Sequence, residues 1–162
     1  MNPREYEADF FSTLAEAKEW LLDAAAEKEG AICPCCGRFD KIYNRKINLA
    51  SVKVLARLYW VSKRNGGGYY HYSDFINGQT GRDFGAYFVP LGLVERAEKT
   101  DDSKRTSGMY RITEAGNAFV EGRIKIPERV ILHHNKPLGV SQEQSYIYDF
   151  WPEFNYRELM AA

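Results

Sequence analysis

The sequence predicts an α+β chain, and three patterns carry that expectation. Apolar residues recur at helical spacing behind capping residues before about residue 65. Leu93–Lys99 and Gly108–Ile112 flank a polar loop as a strand pair, and Val130–Val140 has the composition of a β-hairpin. With 162 residues, 44% hydrophobic and 14% aromatic, the chain can bury a core. The predicted parts are residues 1–46 (acidic helix, cysteine knuckle, basic connector), 47–122 (the main domain) and 123–162 (hairpin and short helix).

Taking the elements in order, Thr13-Leu14-Ala15-Glu16 is a capping-box pattern opening an acidic helix, with Gly30 as its C′ residue. Its apolar positions are Leu14, Ala17, Leu21, Ala24 and Ala25. Asn48 or Ser51 can cap a second helix running to about Asn65, where Gly66–Gly68 breaks it. Val52, Leu55, Ala56 and Tyr59 form its apolar stripe, and Lys53, Arg57, Trp60 and Arg64 fall on another face. Ser73 and Thr80 can cap two short helices, the second stopped by Pro90 and Gly92. Thr113 caps a helix closed by Gly122. Beyond Pro127, Asn135–Pro137 reads as the hairpin turn, Ser145–Tyr148 as a third strand and Phe154–Met160 as a terminal helix.

Cys33-Pro34-Cys35-Cys36-Gly37 holds all three cysteines. Two thiolates spaced by two residues suit a tight turn whose amides point at the sulfurs, and Gly37 permits the positive φ at its exit. Cys33 and Cys36 are thus one half of a zinc knuckle. A tetrahedral site needs two more ligands, from Cys35, His71, His133, His134 or another chain; otherwise the turn is a metal-free one with reduced thiols, or a redox pair. The redox reading is the weakest, since no strand is apparent before the motif. Alternation along a strand sends His133 and His134 to opposite faces, so at most one is expected to serve a given metal.

Zero net charge hides a strong asymmetry. Residues 1–29 hold eight acids against three bases, whereas residues 30–64 hold eight bases against Asp40 alone. No apolar run is long enough to cross a bilayer and Met1–Glu5 starts no signal peptide, so a cytoplasmic location without membrane contact is expected. There is no H-E-x-x-H, G-x-S-x-G or Walker motif, and an enzyme is not expected.

The order helix, short helix, helix, strand pair resembles that of a winged helix-turn-helix. Leu91-Gly92-Leu93-Val94-Glu95-Arg96 with Tyr110-Arg111-Ile112-Thr113-Glu114-Ala115-Gly116 closely resembles the wing of MarR-like proteins. With the knuckle ahead of it and a short β-tail behind, the chain also resembles a group of bacteriophage and prophage proteins of unestablished function, which would put it in the host cytoplasm. The resemblance implies groove contact by the helix before the wing and backbone contact by the wing tip.

The expected function is nucleic-acid binding, mainly through phosphates, by Lys41, Arg45, Lys46, Lys53, Arg57, Arg82, Lys104 and Arg105. Thr80–Phe88 has one base, one acid and two glycines, so a base-reading code is not expected there. Zinc at Cys33 and Cys36 would order the connector. The competing class is an interaction module binding a host protein, suggested by zero net charge and the aromatic tail. A homodimer through the N-terminal helix is expected under either reading.

Overall fold

The computed structural model describes residues 2–6, 13–76 and 84–162, and those residues build a mixed α and β structure. Thr13 caps α1 (Leu14–Ala25): its hydroxyl accepts the Glu16 amide at 3.2 Å and its own amide donates to the Glu16 carboxylate at 2.6 Å. The helix ends well before Gly30, whose φ of 72° serves instead the turn into β1 (Ala31–Ile32). β1 pairs antiparallel with β2 (Phe39–Asp40), Ala31 opposite Asp40. The cysteines therefore sit at a hairpin tip. Strands of two residues leave no alternation to read, which is why none is apparent in the sequence.

The connector is strand β3 (Ile42–Lys46). Asn48 caps α2 (Leu49–Asn65), its side chain accepting the Ser51 amide at 2.8 Å. After β4 (Tyr70–His71), α3 (Tyr72–Phe75) is capped by His71 and not by Ser73. Nδ1 of His71 accepts the Ser73 amide at 3.3 Å, because His71 has the extended backbone a cap needs while Ser73 is already helical. The expected Thr80 cap lies outside the described residues. α4 (Phe84–Phe88), β5 (Val94–Arg96), β6 (Met109–Ile112) and α5 (Glu114–Val120), capped by Thr113, follow.

The C-terminal part holds β7 (Ile126–Pro127), β8 (Arg129–His133), β9 (Lys136–Val140), β10 (Gln144–Ser145), α6 (Ile147–Phe150) and α7 (Tyr156–Ala161). The hairpin turn is one step earlier than expected: His134 and Asn135 take φ of 49° and 62°, the doubly positive pair of a tight two-residue turn. The third strand is shorter than expected, since Ile147–Phe150 turns helical with the Asp149 carboxylate accepting the Tyr146 amide.

The chain forms two compact units. The first joins Met1–Arg45 to Ile131–Gly139. Its buried apolar side chains, among the described residues, are Ala17, Ala24, Ala25, Ala31 and Leu132, a core of four alanines and one leucine. Arg4 adds backbone bonds to β1 through Gly30 and Ile32, and the Tyr6 ring meets Trp20 at a tilted angle with centroids 5.1 Å apart.

The second unit, Lys46–Val130 with Val140–Ala162, has the larger core. Val52, Leu55, Leu58, Phe84, Phe88, Leu93, Ile112 and Phe119 are all buried there, with Leu91 half-buried. The expected stripe of Val52, Leu55, Ala56 and Tyr59 faces inward in full. Phe75, Phe84, Phe88 and Tyr110 meet at tilted and edge-to-face angles, centroids 5.2–6.3 Å apart, and supply aromatic contact beyond their area. The sheet order is β4-β6-β5, so the returning strand is central.

Candidate functional site

The basic residues divide by environment. β5 and β6 pair from Val94 opposite Ile112 to Arg96 opposite Tyr110, and the chain between them carries Lys104 and Arg105, both exposed. That loop is shaped by its own acids: Asp101 accepts the Ser103 hydroxyl at 2.6 Å and amide at 3.0 Å, which holds its carboxyl below the usual range, and Lys99 pairs with Asp102. At the hairpin base, Arg111 pairs with Glu95 and lies over the Tyr69 ring. The two tip cations stand clear of these pairs.

The stripe on α2 has a different environment. Lys53 Nζ lies 5.2 Å from the Trp151 ring centre, and the guanidinium groups of Arg57 and Arg64 lie over the Trp60 ring, 4.4 and 4.5 Å from its centre. Arg64 also donates to the carbonyls of Met160 and Ala162, and the Trp60 indole donates to Ala162 at 3.2 Å. The tail residues cover this face, drawn to it by aromatic surface and carbonyl acceptors that complement cations. Lys53 and Arg57 are accordingly half-buried. Arg82 lies outside the described residues.

Below this face, Tyr59 Oη donates to Glu121 at 2.9 Å and meets the Tyr156 hydroxyl at 2.8 Å. Burial first, then these hydrogen bonds, push the Tyr59 phenol well above its ordinary pKa. Burial alone would raise Glu121, yet Arg123 at 2.7 Å, with Tyr59 and Lys63, holds its carboxyl below the usual range.

In the first unit Lys41 donates to the Lys28 carbonyl, and Lys41 and Arg45 lie 5.6 and 5.1 Å from the centre of the exposed Tyr43 ring. Lys46, the last residue of β3, is exposed. The knuckle forms the turn its sequence implies: the Gly37 amide donates to the Cys33 carbonyl at 2.8 Å, and Gly37 has φ of 70°. The amides of Cys35 and Cys36, with the Cys36 thiol, donate toward the Cys33 sulfur and lower its pKa. Among the described residues, however, no group of three close ligand atoms includes a cysteine.

The histidines are engaged elsewhere. His71 caps α3. His133 and His134 both turn their Nε2 atoms to one oxygen of Asp40, at 2.8 and 3.4 Å, with ring centroids 4.0 Å apart. The expectation that adjacent histidines diverge is overturned by the early turn, because the positive φ of His134 takes it out of strand alternation. No ligand motif in the sequence includes Asp40. The available signal was its isolation, the lone acid among eight bases in residues 30–64.

Among the described residues no helix is long and apolar enough to cross a membrane. No protein family, curated protein or solved structure matches the chain.

Proposed function

We propose that the second unit is a nucleic-acid-binding module of winged-helix type that contacts duplex phosphates through the tip of the β5–β6 hairpin. The observation that carries the reading is that tip: Lys104 and Arg105 are exposed and unengaged by the loop's ion pairs, on a hairpin whose base is anchored in the aromatic core. The order α2, β4, α3, α4, β5, β6, with β4 completing the sheet, supports it. Phosphate contact needs only accessible cations on a firm support, whereas reading bases needs a helix rich in donors and acceptors, which Phe84–Phe88 lacks.

Two phosphate contacts give a slope of log affinity against log salt of about −1.8, at ~0.9 per contact. Fluorescence anisotropy with a short duplex at about 50 mM salt, where electrostatic binding is strong, tests this. The Lys104→Glu/Arg105→Glu double variant should lose binding while keeping its melting temperature, since both side chains are exposed. Arg82→Ala reports whether the segment before α4 adds discrimination between sequences. No affinity of the wild type for duplex or single-stranded DNA would overturn the proposal.

A second reading, an interaction module for a protein partner, is favoured by the exposed Leu14 and Leu22 of α1, 59% and 52% accessible, eight residues apart on the helix. It predicts that charge reversal at the hairpin tip changes no binding property, while Leu14→Ser/Leu22→Ser does.

A further inference from the structure

We propose that Asp40, His133 and His134 bind a divalent transition cation of the zinc class, which clips the β1–β2 hairpin to the β8–β9 turn. The three residues lie 93 and 94 positions apart in the chain, and nothing in local structure requires them to meet. They converge nonetheless. Each offers one ligand atom, all within 4.8 Å of one another. Two imidazole nitrogens and a carboxylate oxygen are a donor set that suits zinc, cobalt or nickel over magnesium or calcium.

Separations of 2.8 and 3.4 Å between each Nε2 and Asp40 Oδ1 are close to what coordination needs. With metal–ligand bonds of about 2.1 Å and near-tetrahedral angles, two ligand atoms sit roughly 3.4 Å apart. A cation among the three atoms thus asks for small side-chain shifts. The burial is graded in the way a site open on one side requires: the Asp40 side chain is 8% accessible and that of His133 15%, while that of His134 is 68% accessible. The buried Asp40 carboxylate already has His133 as a hydrogen-bond partner, and a divalent ion shared with the two imidazoles would add compensating charge. The exposed side leaves room for water as the remaining ligand.

The energetic reason lies in the core of the first unit. Among the described residues the buried apolar side chains of this unit are four alanines and one leucine, and a small unit of this kind gains from a staple such as a metal. The hairpin register places Asp40 opposite Ala31, at the end of β1–β2 away from the cysteines, so this clip is distinct from the Cys33–Cys36 half-site.

The test is native-state hydrogen exchange of the full chain, with and without Zn2+, supported by the absorption spectrum of the Co2+ form. At a free metal concentration of 100 times the dissociation constant, opening of the first unit should be suppressed about 100-fold, slowing exchange at the Ile32 and Cys33 amides. Amides of α2 should not respond. The effect should survive Cys33→Ser/Cys36→Ser and vanish in His134→Asn, where asparagine tolerates the positive φ and the exposed position tolerates the change. Asp40→Asn should behave as His134→Asn. The Co2+ spectrum should lack thiolate charge-transfer bands. No response to Zn2+ in the wild type, an equal response in His134→Asn, or loss of the response in the cysteine double variant each overturns the proposal.

Discussion

Gly116→Ala sets two opposing effects against each other in the element that seats the β5–β6 hairpin. Gly116 lies inside α5, where alanine is the better helix former by about 1 kcal/mol, so propensity alone predicts stabilisation. Packing predicts the reverse. A Cβ at this position would come 2.2 Å from the Leu93 carbonyl oxygen and 2.6 Å from Ile112 Cγ1. The Ile112 side chain could rotate, but the carbonyl cannot retreat freely, since it accepts the Thr113 amide at 3.0 Å and thereby ties the hairpin to the helix cap. Relieving the overlap moves α5 away from β5 or breaks that bond. Overpacking of this kind costs about 1–3 kcal/mol, net of the small propensity gain, because the nearest neighbour is backbone. Urea unfolding followed by tryptophan fluorescence measures it as a lower midpoint at constant slope. A Gly116→Ala protein as stable as the wild type, or more so, would refute the close approach of α5 to β5 on which the hairpin's anchoring rests.

Two further outcomes follow from the same unit. Leu55→Ala, at a fully buried position of α2, should cost about 2–5 kcal/mol, and a loss below about 1 kcal/mol would overturn the inward phase of that helix. Stability should also fall with acid because of Glu121: its carboxyl is held below the usual range when folded, so its contribution is present above the unfolded pKa of about 4.3 and is lost as pH falls through the folded value. Glu121→Gln should flatten that part of the acid-denaturation curve; an unchanged curve would refute the role given to Arg123, Tyr59 and Lys63.

Local chemistry makes much of this chain legible in its sequence. Thr13, Asn48 and Thr113 cap helices where expected, because a cap is decided within four residues by one side chain and one amide. The stripe Val52, Leu55, Ala56, Tyr59 is buried as its period requires, since a seventeen-residue helix leaves no doubt about phase. The Cys33–Gly37 turn and the β5–β6 pair were equally plain. Tertiary structure alone decided two matters. Lys53, Arg57 and Arg64 fall on one basic face in the sequence, and only the fold shows Trp151 lying by Lys53 and the carbonyls of Met160 and Ala162 accepting from Arg64, attractions across about a hundred residues with no periodic signature. His133 and His134 read as diverging strand residues, and a turn closing one position early brings both rings to Asp40. Which neighbouring residues close a hairpin is a matter of local preference that strand pairing and a distant carboxylate can decide.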